Sequence, residues 1–196
     1  MFKYYTIYKP FNVLSQFSNS FGKKTLKDYF NVPSDVYPVG RLDFDSEGLL
    51  ILTNDKKLNH LLLDPYYKHE REYWLQVEGI VSKEALVKLS AGVKINIDGK
   101  IYNTQKCKAE LFINPPAVPD RDPPIRIRKT VPDSWLAISL IEGKNRQVRK
   151  MTASVGFPTL RLIRYRIENL TFSALKPGQM KVFSKQEMYN LLNIKY

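Results

Sequence analysis

GRLDFDSEGLLILTND, residues 40–55, sets an arginine and two acidic residues, Arg41, Asp43 and Asp45, directly ahead of the apolar run Leu49-Leu50-Ile51-Leu52. An uninterrupted aliphatic run of this length, closed by the turn pair Asn54-Asp55, reads as a strand over 49–53 buried on both faces. Upstream, 36–39 has strand character, but Pro38 lacks a backbone donor and demands an edge or terminal position. Asp43 therefore falls in a loop between two strands, where a rigid scaffold can hold a functional group still.

The pattern outward from this stretch is mostly strands. Residues 4–8 are β-prone and end at Lys9-Pro10. Residues 73–77 alternate, with Tyr73, Leu75 and Val77 on one face and Trp74 and Gln76 on the other. Val93, Ile95 and Ile97 alternate before Asp98-Gly99, a tight-hairpin signal, and 135–141 is a further strand. Helices are fewer. Residues 25–30 and 58–63 are short candidates; 82–92 has a serine N-cap and a glycine stop; 145–155 has helical period; Ser184 to Glu187 fits a capping box before a terminal helix. Residues 114–124, NPPAVPDRDPP, hold five of the twelve prolines and form a loop. Many strands with short helices and hairpins predict an α+β fold: a largely antiparallel mixed sheet with short flanking helices and basic loops. The 196 residues are expected to form a single domain, or two closely packed subdomains.

The net charge is +12, from 31 basic and 19 acidic residues. Such a field attracts polyanions, with nucleic acid first among them. No aliphatic run approaches the length of a membrane span, and MFKYYTIYKP has no apolar signal core, so a cytoplasmic protein is expected. Cys107 is the single cysteine, and His60 and His69 lie nine positions apart, a poor basis for a metal centre. Both histidines read as surface or helix-end residues.

The basic charge is concentrated. Between 121 and 166 there are eleven basic residues against three acidic ones. At helical spacing, Arg146, Arg149 and Lys150 share one face while Val148, Met151 and Val155 share the opposite one. The first face could be merely solvated, but three basic clusters close in sequence favour a nucleic-acid surface: Arg126, Arg128 and Lys129; Lys144, Arg146 and Lys150; Arg161 and Arg164. Asp43 reads equally as a helix cap or turn residue and as a carboxylate kept ionised by Arg41. Asp45 and Glu47 are expected to face solvent or tie down the loop. Spacing alone makes Tyr73 a core aromatic.

Four segments in order, YKP at 8–10, GRLDFDSEGLLILTND at 40–55, REYWLQVEG at 71–79 and EGKNRQVRKMTASVGFPTLRLIR at 142–164, resemble the successive motifs of the RsuA-type pseudouridine synthases. RDPPIRIRKTVPDSWL at 121–136, with no N-terminal S4 RNA-binding module ahead of the first motif, is most similar to the RluE branch, which acts on 23S ribosomal RNA of the large subunit. The resemblance implies a cofactor-free isomerase that breaks the N-glycosidic bond of uridine, turns the base and joins its C5 to the sugar. It implies that Asp43 is the essential aspartate and Arg149 its basic partner. It further implies that Arg41 helps replace the flipped base in the stack, and that Tyr73 packs on the uracil and is a candidate for proton removal from C5. A monomer acting on ribosomal RNA or an assembling large-subunit particle is expected. A small-subunit RNA synthase and a non-catalytic ribosome-assembly factor are the alternatives. The chemistry agrees: exchanging a C–N for a C–C bond is redox-neutral, an ionised carboxylate can act as nucleophile, and a stacked base must be turned out before it can react.

Overall fold

The computed structural model describes residues 1–125, 130–172 and 175–195, and its chain divides into two compact units, 1–69 with 163–196, and 70–162. Arg126, Arg128 and Lys129 lie outside the described residues. The architecture is α+β, as expected, with short helices around mostly antiparallel strands.

In the first unit, β1 (Tyr4–Lys9) lies between β3 (Glu47–Thr53) and β11 (Met180–Phe183), antiparallel to both. The two-residue β2 (Tyr37–Pro38) adds to β3, the terminal position that Pro38 demands. β3 also runs parallel to the end of β9 (Thr159–Ile167), which is extended by β10 (Leu170–Thr171). Every residue of β3 is buried, which accounts for its unbroken apolar sequence. The strand begins at Glu47, two residues before the apolar run, because Glu47 and Gly48 pair with Ile163 and Arg164. Gly48 has φ +101°, and a Cβ there would collide with the Arg164 backbone, its nitrogen lying 2.9 Å away. Only glycine accommodates so close an approach.

Two helices complete this unit. α1 (Lys56–Leu63) starts at Asp55, whose carboxylate accepts from the amides of Lys57 and Leu58 at 3.0 and 3.2 Å. The other Asp55 oxygen accepts from the Tyr4 and Tyr189 hydroxyls at 2.7 and 2.8 Å, tying α4 (Lys185–Leu191) to the strand layer. The predicted capping box opens α4: Ser184 N donates to Glu187 Oε2 at 2.7 Å. The segment at 25–30 winds only one 3₁₀ turn, Leu26–Asp28. Surface placement holds for His60 but not for His69, which is buried with Nδ1 3.0 Å from Glu168 Oε1.

In the second unit, β8 (Asp133–Leu140) lies between β4 (Arg71–Glu78) and β7 (Lys108–Leu111), again antiparallel. α2 (Lys83–Ala91) starts where Ser82 Oγ accepts from Ala85 N at 3.2 Å and stops at Gly92. β5 (Lys94–Ile97) and β6 (Lys100–Asn103) form the hairpin across Asp98-Gly99, both with positive φ as a tight turn requires. Leu75, Val77, Leu89, Ile138, Val148 and Met151 are central to one apolar cluster, so the predicted apolar face of α3 (Gln147–Ser154) packs inward. α3 starts at Gln147 rather than at 145 because Arg146 is left-handed, φ +52°. Residues 114–124 contain no helix or strand. Among the described residues no helix is long and apolar enough to cross a membrane.

Candidate active site

Arg41 and Asp43 belong to the first unit, in the loop between β2 and β3. No helix begins in this loop, so Asp43 is not a helix cap; its carbonyl accepts from Ser46 N at 3.1 Å, closing a turn. The loop is fastened on both sides of Asp43. Leu42 exchanges two bonds with one hydroxyl: Ser15 Oγ donates to Leu42 O at 2.8 Å and accepts from Leu42 N at 3.1 Å. On the far side, Lys9 Nζ donates to Phe44 O at 3.5 Å and, more tightly, to Val13 O at 2.6 Å and Pro10 O at 2.9 Å. Arg41 is exposed and Asp43 half-buried, so the guanidinium and carboxylate are held at the rim of the loop rather than in the core.

Lys9 is fully buried. Burial pulls its ammonium down from 10.5 to about 7, against the opposing pull of the Glu47, Asp45 and Asp43 carboxylates and with a smaller push from Arg164. Glu47, expected to face solvent or to tie down the loop, does not face solvent: it is buried in β3, where the Tyr8 hydroxyl approaches it at 3.4 Å. The carboxylates of Asp43, Asp45 and Glu47 thus all act on the one buried lysine that holds the turn. The YKP motif contained Lys9, but a charge ending a strand is ordinarily solvated, and sequence periodicity gave no sign of its burial.

Tyr73 and Arg149 belong to the second unit. Tyr73 lies on the Leu75–Val77 face of β4, half-buried and packed against the apolar cluster. Arg149 is half-buried on α3, with Nη1 3.4 Å from Thr159 O. The approach to α3 is locked by Glu142, a buried acid within the basic segment. Its Oε1 accepts from Gln147 Nε2 at 2.5 Å and Gln105 N at 2.9 Å, and its Oε2 accepts from the Tyr102 hydroxyl at 2.5 Å. That bond, with burial, pushes the Tyr102 hydroxyl up to about 12. Burial and the same carboxylate push the Cys107 thiol up to about 11. Gln147 Oε1 in turn accepts from Lys144 N at 2.9 Å. Sequence reasoning missed both Glu142 and Gln147 as supports of this loop.

The residues expected on a nucleic-acid surface separate by burial. Lys144 and Arg146 are exposed, and Lys150 is half-buried. Arg161 and Arg164 are buried instead: Arg161 Nη2 donates to Pro119 O and Arg164 Nε to Leu49 O, both at 2.8 Å. Each guanidinium, enclosed by the fold and bonded to a backbone carbonyl, braces β9. Among the described residues, no group of three or more His, Cys, Asp or Glu side chains is placed to hold a metal ion.

Comparison with known proteins adds an independent line. A family model described as RNA pseudouridylate synthase matches residues 3–154. The chain is 50% identical over 173 residues to ribosomal large subunit pseudouridine synthase E of Vibrio parahaemolyticus, covering 88% of this chain and 70% of that one. Against the protein of the same name from Xanthomonas campestris it is 49% identical over 176 residues, covering 89% and 91%. The match to ribosomal large subunit pseudouridine synthase B of Bacillus subtilis is 33% identical, covering 96% and 70%. A crystal structure of a pseudouridylate synthase superposes with a TM-score of 0.78 at 22% identity, over 97% of this chain and 74% of that one, a likeness of fold. With the family model over three quarters of its length and about half of the aligned residues identical in such relatives, the chain belongs to the RNA pseudouridylate synthase family.

Proposed function

We propose that this protein converts a specific uridine of large-subunit ribosomal RNA to pseudouridine, with Asp43 as nucleophile, Arg149 as its basic partner, Arg41 filling the place of the turned-out base and Tyr73 packing on the uracil. The observation that carries the reading is the double anchoring of the Asp43 turn, through Ser15 on one side and Lys9 on the other. A nucleophile must be held within tenths of an ångström of its target, and two independent anchors supply that restraint. The names of the two relatives sharing about half of its residues support the large-subunit substrate.

In the reaction the N1–C1′ bond breaks, the C5–C1′ bond forms and the C5 proton is replaced at N1, so product and substrate are isomers. An ionised carboxylate can add either to C1′ of the sugar, which displaces the uracil and leaves it to turn unbonded in its pocket, or to C6 of the ring, which keeps the base covalently held while it turns. Tyr73 offers an aromatic face to the extruded uracil. The exposed Lys144 and Arg146 would meet flanking phosphates and offset the cost of unstacking. The reading extends to a cytoplasmic monomer: sedimentation of the pure protein would check the monomer, and cell fractionation the location.

The test is pseudouridine mapping at single-nucleotide resolution on protein-free 23S ribosomal RNA, treated with wild type or Asp43→Asn, with RNA affinity measured alongside. Wild type is expected to convert one site, and the variant to lose conversion while retaining affinity. A well-folded wild type that binds but converts nothing, on naked RNA or on assembling particles, would replace this reading with that of a binding factor.

A further inference from the structure

Between the strand β1 and the Asp43 loop runs QFSNSFGKK, residues 16–24, a segment to which the reaction assigns no role. Its base is pinned by backbone bonds, Leu14 N to Lys24 O and Leu26 N to Gln16 O, both 2.9 Å. Its tip is a four-residue turn in which Lys23 N donates to Ser20 O at 2.9 Å and Gly22 takes φ +72° with open space around it. This ordered turn leaves the whole side chain of Phe21 in solvent. A single exposed apolar residue means little by itself. Here the surroundings give it meaning. Lys23, Lys24, Lys27 and Tyr29 are all exposed beside it, and the acidic residue of the group, Asp28, is engaged by Thr25 N at 2.7 Å.

The position of the turn is also specific. Lys23 Nζ sits 5.2 Å from the centre of the Phe44 ring, and Phe44 directly follows Asp43. Ser15, at the root of the segment, is the residue that holds Leu42, and the carbonyl of Val13 shares the Lys9 ammonium with that of Phe44. The turn is therefore fixed to the candidate nucleophile's own loop within a few residues on either side. Lys24 Nζ lies 5.6 Å from the centre of the Tyr29 ring, so both ammonium groups are held on the turn's flanks while the Phe21 ring stands clear. A free aromatic ring close in sequence to two exposed lysines is a composition that binds unpaired nucleic acid, the ring taking a base face and the ammonium groups the adjoining phosphates.

We propose that the turn 20–23 is an RNA-contacting finger, in which Phe21 stacks on an unpaired base next to the target uridine and Lys23 and Lys24 hold the phosphates beside it. The inference rests on Asp43 marking the reaction centre. It adds to that reading a recognition element that selects RNA with an accessible base near the target.

The experiment compares wild type, Phe21→Ala, Phe21→Trp and the double variant Lys23→Ala/Lys24→Ala, using protein-free 23S ribosomal RNA as probe. Phe21→Ala is expected to bind about 10-fold more weakly with an unchanged melting temperature, since its ring touches nothing in the fold. Phe21→Trp should restore affinity, and its fluorescence should change on adding RNA beyond the wild-type signal of Trp74 and Trp135. The lysine variant should flatten the dependence of log affinity on log salt by about one per lysine. Wild-type affinity and salt slope in all variants would overturn the proposal. So would a Phe21→Ala defect seen on assembling particles and absent on naked RNA, which would assign the turn to a protein partner. Because affinity is read separately from conversion, a wild type that binds without converting would count against the catalytic reading and leave the Phe21 result standing.

Discussion

Lys9, a fully buried residue, donates its ammonium to the carbonyl of Phe44, the residue that follows Asp43. A cation beneath three carboxylates ties the geometry of the Asp43 turn to the protonation of one amine. In the unfolded chain that amine titrates near 10.5, and in the folded chain near 7 because burial disfavours its charge. Below pH 7 it is charged in both states and burial carries its full cost. Between about 7 and 10.5 the unfolded chain holds a proton that the folded chain has released, so stability rises across this window and levels off above it. Lys9→Met is expected to lose that rise. Urea denaturation at pH 6, 7.5 and 9 reads it directly, and equal pH slopes for the two proteins would refute the assignment.

Gly48→Ala is expected to destabilise the first unit by about 2–3 kcal/mol or more, because a Cβ meets the Arg164 backbone and φ +101° suits glycine alone. The displaced strands carry Glu47 and Arg164, so RNA conversion should fall along with the melting temperature. A variant as stable as wild type would mean that β3 and β9 are not this close.

Asp55 is the reverse of Lys9. Burial alone would raise its carboxyl, but the Tyr4 and Tyr189 hydroxyls and the amides of Leu58 and Lys57 outweigh burial and hold it below 3.8. Its stabilisation is complete above the unfolded value and is lost as pH falls through the lower folded one. Asp55→Asn should cost about 1–3 kcal/mol at pH 7, and the gap to wild type should shrink below pH 4. Thermal melts from pH 7 to pH 2.5 would show it; a gap that stays constant would contradict it.

Charge reversal at Lys144 and Arg146, both exposed, should weaken RNA binding and flatten its salt dependence by about one per residue. Filter binding at 50–200 mM salt separates the outcomes, and an unaltered slope would remove the approach to α3 from the RNA surface.

Much of the fold was legible because its signals are local. The aliphatic run of β3, the alternation of β4, the serine caps of α2 and α4 and the Asp98-Gly99 turn each contain their own cause. The site was legible only in part. Asp43 and Arg41 could be placed in a loop, but their support comes from Ser15 and Lys9, tens of residues away and chemically unremarked. Arg161 and Arg164 looked like phosphate ligands because charge in a sequence reads as surface. Their burial follows from carbonyl acceptors at Pro119 and Leu49, which periodicity does not encode. His69 was misplaced for the same reason, its partner Glu168 being almost a hundred residues distant.

The first unit is assembled from the two ends of the chain, and this sets an order of events during synthesis. β1 can find β3 once about fifty residues have left the ribosome, but its other neighbour, β11, is translated only after residue 180. Asp55 likewise waits for Tyr189. The segment 70–162, contiguous in sequence, can close first, while the N-terminal strands remain with one edge open. The exposed Lys144 and Arg146 of that segment thus emerge before the Asp43 turn is fully buttressed, so the nascent chain acquires its attraction for polyanions ahead of its chemistry.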